Sequence, residues 1–229
     1  MGTVQIIDTT TRNPITIIGE RAGICWGADT TDAAANYKRG WDCITSGHGR
    51  TLEFVEVSMI LDGYSARVMR EWYTHIGGAP TRLQASTRYI DYRAFEYIVP
   101  PSISENNEAN MRYISTMDTI RRTTAKLEEM GLPREDIANL LPLGMTTRVV
   151  DRRNLRNLID MSRQRMCNRA YWEFRELVRD LSIALADYGE EWALIVNRCF
   201  YPKCQEAQTC PEKYGCGKYP GREHTPKEG

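Results

Sequence analysis

The chain has 229 residues, with 30 Lys plus Arg balancing 30 Asp plus Glu. That length holds one large domain or two small ones with a real core, and the zero formal charge excludes a general polyanion-binding protein. No stretch approaches the ~18 consecutive apolar residues of a membrane span. The N-terminus also lacks a basic region followed by an apolar run, so the chain is read as cytoplasmic with no membrane partner.

Taken in order, residues 4–7 (VQII) and 15–18 (ITII) read as short strands joined by a turn at Asn13-Pro14. Thr31 or Asp32 caps a helix to about residue 45, stopped by Ser46-Gly47. Residues 52–61 alternate as a strand ending in a turn at Asp62-Gly63, and Ser65 caps a helix to about residue 75. Residues 77–93 read as a loop broken by glycines and a proline. In it Ser86, Thr87 and Arg88 could offer hydroxyl, N–H and guanidinium groups to a phosphate, although a plain connection is the simpler reading. Residues 105–130 are helical on Met111, Ile114, Met117, Ile120 and Leu127, and Gly131-Leu132-Pro133 stops them. A short helix opens at Arg134, and residues 145–150 form a β-branched strand. Few strands, several long helices and a non-alternating order predict an α+β fold.

Residues 146–177 carry eight arginines: Arg148, Arg152, Arg153, Arg156, Arg163, Arg165, Arg169 and Arg175. The spacing predicts a helix capped by Asp151 and carrying Leu155, Leu158 and Ile159. A second apolar stripe follows, Ala170, Phe174, Leu177, Leu181, Leu185 and Tyr188, in helix to about residue 196. Any one of these arginines is ordinary as a solvated or ion-paired side chain. As a cluster around Trp172 they suit a flat, charged ligand, because guanidinium groups fork onto phosphate or carbonyl oxygens and a ring can stack. From Asn197 the tail reads as irregular, and residues 218–229 as disordered.

Seven cysteines, an odd number with three scattered, argue against a secreted disulfide framework. Cys199, Cys204, Cys210 and Cys216 cluster as C-x4-C-x5-C-x5-C. That spacing lacks the tight C-x2-C pairs of a zinc ribbon, so no metal ligand is assigned. His48, His75 and His224 have no ligand spacing, no nucleophilic triad is visible, and no G-x-G-x-x-G or Walker sequence occurs.

Three segments resemble the flavin-dependent thymidylate synthases. Residues 46–54, SGHGRTLEF, look like that family's S-G-H-x-S-x-x-E-H, and residues 84–89, QASTRY, like E-x-S-x-R-Y. Residues 140–148, LLPLGMTTR, with NLRNLIDMSRQRMCNRAYWEFREL after them, resemble L-P-x-x-x-x-T-R followed by N-x-R-x-x-x-x-F-x-x-x-R and A-Q-x-E-I-R. The tail, YPKCQEAQTCPEKYGCG, is similar to the P-K-C…C-P-E-x…C-G endings of some members, so order and spacing agree over about residues 20–217.

The resemblance implies a single domain over residues 1–217, a mostly antiparallel sheet flanked by long helices, and a homotetramer with active sites shared between subunits. It implies methylation of dUMP to dTMP without an enzyme nucleophile, with FAD as hydride carrier, methylenetetrahydrofolate as carbon donor and NADPH as reductant. Carried over by position, Arg175 would be catalytic, polarising the uracil. Glu71, Thr74, Gln84, Ser86, Thr87, Arg88, Arg148 and Arg175 would bind dUMP. Glu56, His75, Ile76, Gln84, Arg163, Gln164, Arg165 and Arg169 would contact FAD. The chain departs from the pattern at Thr74-His75-Ile76, where the family has R-H-R, at Gln84 for the signature Glu, at Glu71 for a Gln and at Phe54 for a second His. Arg82 is a candidate replacement for a lost guanidinium. Two other readings stand beside this one: a related flavoenzyme with a different one-carbon transfer, and a non-catalytic nucleotide- or RNA-binding protein. The zero net charge speaks against nucleic acid as the partner.

Overall fold

The structure is a computed structural model describing residues 2–221. In chain order it contains β1 (Thr3–Ile6), α1 (Pro14–Cys25), α2 (Ala33–Thr45), a 3-10 segment (Gly49–Phe54), β2 (Glu56–Ser65), α3 (Ala66–Trp72) and β3 (Thr81–Gln84). Then come α4 (Pro101–Ser104), α5 (Asn107–Glu129), α6 (Arg134–Ile137), β4 (Thr146–Asn154), α7 (Leu155–Arg165), α8 (Trp172–Tyr188), α9 (Glu190–Cys199) and α10 (Lys203–Ala207). The four strands form one sheet in the order β1-β2-β4-β3. Its pairings are antiparallel: Ile7 and Thr11 donate to Ser58 and Glu56 in turn, and Ala66 donates to Met145 where Leu155 donates to Val55. This is the α+β architecture expected from the element order.

Within the described residues the chain divides into two compact units, 2–3, 60–74 and 82–151, and 4–59, 75–81 and 152–221. In the first, Ser65 caps α3 by accepting from the Val68 N–H at 3.1 Å. The helix buries Trp72 completely, and its indole N–H donates to Asp151 at 2.8 Å. Helix α5 starts at Asn106, whose side chain accepts from the Ala109 N–H at 3.0 Å. It buries Met117 against Phe95 and Met145. In the second unit α1 and α2 approach closely enough that a Cβ on Gly19 would lie 1.8 Å from Asn36 O, and one on Gly40 1.9 Å from Ile15 O. Glu191 closes the start of α1: its carboxylate accepts from the Ile15 N–H at 2.6 Å and the Thr16 hydroxyl at 2.6 Å, a negative charge where the helix exposes unpaired donors. Phe174, Leu177, Leu181, Leu185, Trp192 and Ile195 of α8 and α9 are fully buried there.

Several sequence expectations are corrected. Residues 15–18 are helical, not a strand. Pro14 opens α1, and Ile15, Ile18, Gly19 and Ala22 recur at helical spacing and are buried, a period that a four-residue apolar run cannot reveal. Residues 52–54 belong to the 3-10 segment. No turn interrupts β2 at Asp62-Gly63: the strand continues to Ser65, with Gly63 at φ +76°. The segment read as a loop, residues 77–93, contains β3, and α3 ends at Trp72. Asp151 is no cap. It lies in β4, whose alternation buries Thr147, Val149, Asp151 and Arg153 and leaves Arg148, Val150 and Arg152 outside. The cap of α7 is Asn154, accepting from the Asn157 N–H at 2.9 Å. Helix α8 starts only at Trp172, so Asn168 and Ala170 precede it, and the irregular tail contains α10. Residues 218–221 are placed, with the Cys210 N–H donating to Pro220 O at 2.7 Å; residues 222–229, His224 among them, lie outside the described residues. Among the described residues no helix is long and apolar enough to cross a membrane.

Candidate functional site

In the first unit, β3 and β4 set a polar cluster on the sheet. Gln84 accepts from the Tyr73 hydroxyl at 2.9 Å and donates to the Thr147 hydroxyl at 3.2 Å. Arg82 lies over the Tyr73 ring at 4.2 Å and donates to Tyr73 O at 3.4 Å, while its Nη1 is buried without a partner. Burial pushes the Tyr73 phenol up, and the Arg82 charge partly opposes that. The loop after β3 starts with Ala85 donating to Arg148 O at 2.8 Å. There Ser86 Oγ accepts from the Arg88 N–H at 3.2 Å, and Arg88 pairs with Glu135 at 2.9 Å. Arg148 stands 3.5 Å from Asp62, and exposed Thr74 has its hydroxyl donating back to Glu71 O at 2.7 Å. Arg88 and Arg148 are both exposed, with side chains 63% and 61% accessible, so these surface pairs cost little to open for an incoming anion. Thr87 borders a separate cavity of about 20 Å³ with Tyr92 and Thr124.

In the second unit, Arg163, Gln164, Arg165 and Arg169 line one cavity of about 760 Å³, with Lys203 and Glu212 on its wall. The α7 period and the residues after its end bring these four together. Arg165 donates to His75 Nε2 at 3.0 Å and lies 4.9 Å over the Phe174 ring, while His75 meets Phe174 edge-on at 5.9 Å. Burial and the charges of Arg165 and Arg153 hold His75 down at about 4, so its imidazole is neutral and accepts the bond. Arg163 reaches the Tyr201 hydroxyl at 3.3 Å and Glu206 at 3.6 Å, leaving its Nε buried and unpartnered. Arg169 pairs with Glu212 at 3.1 Å. Arg175 donates to Asn168 O at 2.9 Å and to Ala170 O, which pins the bend before α8. Glu56 pairs with Arg152 at 3.3 Å and Ile76 is exposed; neither lines the cavity.

Sequence reasoning missed Tyr73 and Thr147, the two partners of Gln84, and it placed Arg153 in the arginine cluster without its burial, 2% exposed and bonded to Asn157 at 2.7 Å. The alternation of residues 146–154 was the available signal for Thr147 and Arg153. Among the described residues no group of three or more His, Cys, Asp or Glu side chains could hold a metal ion.

In the second unit a basic cavity stands next to a neutral histidine, and in the first a loop carries Ser86 and an exposed Arg88; each suits an anionic group. The chain belongs to the thymidylate synthase complementing protein family, whose model matches residues 5–186. The flavin-dependent thymidylate synthase of Nitratidesulfovibrio vulgaris is 29% identical over 196 residues, 80% of this chain and 76% of that one. The enzyme of the same name from Clostridium tetani is 24% identical over 235 residues, 91% of this chain and 90% of that one. Two crystal structures of thymidylate synthase X from Helicobacter pylori with FAD and dUMP share the fold, with TM-scores of 0.68 and 0.69 at 19% and 18% identity. They cover 87% of this chain and 99% and 100% of theirs.

Proposed function

We propose that this chain is a flavin-dependent thymidylate synthase, methylating dUMP to dTMP with FAD, methylenetetrahydrofolate as carbon donor and NADPH as reductant. The observation that carries the reading is the gathering of Arg163, Gln164, Arg165 and Arg169 around one cavity of about 760 Å³, a size usual for a cofactor site. The residues fit FAD: the three guanidinium groups on the cavity wall would hold its phosphates, and Arg163 Nε is a buried donor still lacking an acceptor. FAD, when bound, supplies the hydride. Neutral His75 orients Arg165 by accepting its Nε–H, while Glu56, Ile76 and Gln84 are the further candidates for FAD contact.

In the same reading Ser86, Thr87, Arg88 and Arg148 bind the dUMP phosphate, with Glu71, Thr74 and Gln84 beside them. Arg175 acts at the uracil. A guanidinium beside the pyrimidine carbonyl stabilises the anion that forms when N3 ionises, which raises the nucleophilicity of the ring without a covalent enzyme bond. Its two bonds to backbone carbonyls hold the side chain in place for that task. Residues 1–217 act as one domain, active sites are shared in a homotetramer, and the seven free cysteines suit a reducing cytoplasm.

A related one-carbon transfer is the second reading, favoured by Thr74 and Ile76, which flank His75 in sequence where the family has arginines. Incubation with dUMP, NADPH and methylenetetrahydrofolate decides: dTMP formation supports the synthase. A flavin-loaded protein that consumes dUMP and yields another product overturns it in favour of the second reading.

A further inference from the structure

In the first unit, the loop that follows β3 is held from one side by the corner between α5 and α6. Gly131, at φ +80°, ends α5 with the Leu132 N–H donating back to Leu127 O at 3.2 Å, and Pro133 precedes α6. The tight corner sets Glu128, Arg134 and Glu135 against residues 88–93. Arg134 spans two partners at once: its Nε donates to Glu128 at 2.7 Å and its Nη1 to Tyr89 O at 3.2 Å. The other Glu128 oxygen pairs with Arg93 at 3.1 Å, and Arg93 also donates to Asp91 at 2.9 Å. The residue after Arg134, Glu135, pairs with Arg88 at 2.9 Å. Beneath these contacts Thr87, Ile90 and Tyr92 face Thr124 and Ile137 across a cavity of about 20 Å³. That is room for about one water, so the loop rests almost directly on the two helices.

On the reading that this loop binds the dUMP phosphate, we infer that Arg134 and Glu128 are positioning residues for the nucleotide, and that Glu135 is a placeholder which the phosphate displaces from Arg88. The two neighbouring contacts respond differently to an anion. Arg88 and Glu135 are side chains each more than half exposed, and a phosphate dianion competes directly for that guanidinium. The bond from Arg134 ends on a backbone carbonyl, and its partner Glu128 is only 22% accessible. An anion cannot take the place of Tyr89 O, because both are acceptors. When Arg88 turns from Glu135 to phosphate, the backbone one residue further on therefore keeps its place. The fork of a guanidinium is needed for this: an ammonium lacks the planar, spaced donors that reach carboxylate and carbonyl together. Without Arg134, the loop keeps its own weaker bonds, the Ile90 N–H to Ser86 O at 3.2 Å and the Arg88 N–H to Ser86 Oγ at 3.2 Å. Those shape the turn but do not fix it against the helices.

Calorimetry of dUMP binding to the full chain supplied with FAD, with thermal midpoints alongside, tests the adjacent residues against each other. Arg134→Gln and Glu128→Gln are expected to weaken dUMP binding about tenfold, as misplacement of a binding group does, with midpoints little changed. Arg134→Lys behaves like Arg134→Gln. Glu135→Gln moves the other way and tightens binding by up to about fivefold, the most that an exposed pair is worth. In turnover, Arg134→Gln raises KM for dUMP and retains kcat at saturation. Weakening by Glu135→Gln to the same extent as Arg134→Gln makes α6 plain support and overturns the proposal. So do unchanged affinities in both Arg134→Gln and Glu128→Gln. A wild-type chain that binds no dUMP overturns the reading of the loop itself, and the positioning with it, whereas wild-type binding with indifferent variants overturns the positioning alone.

Discussion

His75 is neutral because its half-buried position and the charges of Arg165 and Arg153 penalise a further positive charge. Its value falls from 6.5 to about 4 on folding, so between those values the unfolded chain binds more protons than the folded one. The stability tied to neutral His75 is therefore complete above about 6.5 and is lost as pH falls toward about 4. Urea unfolding at pH 7.5 and pH 5 should show this loss in the wild type and a smaller one in His75→Gln; equal losses in the two would remove His75 from the account. Arg82 is the second residue with a specific expectation. Stacked on Tyr73 with one buried nitrogen free, it offers a charged donor, and such bonds are worth about 1.5–3 kcal/mol. Arg82→Ala should weaken dUMP binding on the order of tenfold or more, read by calorimetry, and unchanged affinities for both dUMP and FAD would refute the idea that it replaces a lost guanidinium. At this scale the sequence was legible in residue identity and silent on partners. The proximity of Arg165 to His75 spans 90 positions, and no local pattern encodes a contact of that range.

Elements were legible where one period dominated. The Asp32 and Ser65 caps lie where short polar side chains precede apolar helical spacing. Residues 15–18 and 81–84 failed for opposite reasons. ITII is β-branched, but its burial comes from a helix pair that only the glycines permit, whereas TRLQ lacks apolar alternation and is a strand because its backbone pairs with β4. The α1–α2 crossing gives a direct test. Gly40→Ala places a methyl 1.9 Å from Ile15 O, backbone that cannot swing aside. The helices must separate, at a cost of about 1–3 kcal/mol or more. The expected result is a clearly lower thermal midpoint with the fold retained, and an unaltered midpoint would contradict the close packing.

Across the whole molecule, the residues expected to bind dUMP fall mostly in one compact unit and those expected to bind FAD mostly in the other. The exceptions are Arg175, in the second unit, and Gln84, an expected FAD contact in the first. Such a division is invisible in a linear pattern, because β2 and β4 each contribute to both units. The family, by contrast, was legible from three spaced segments, since motifs that bind common ligands keep their residue types even where the supporting helices are hard to delimit. One departure from those motifs flanks His75, the partner of the cavity's Arg165, which makes flavin binding the point at which the account is most exposed. The most direct measurement is the absorbance spectrum of the purified protein, reconstituted with FAD and then titrated with dUMP. An oxidised-flavin band near ~450 nm that shifts on adding dUMP is the expected result. A protein that stays colourless after FAD is supplied would contradict the central claim that this basic cavity holds the cofactor of a thymidylate synthase.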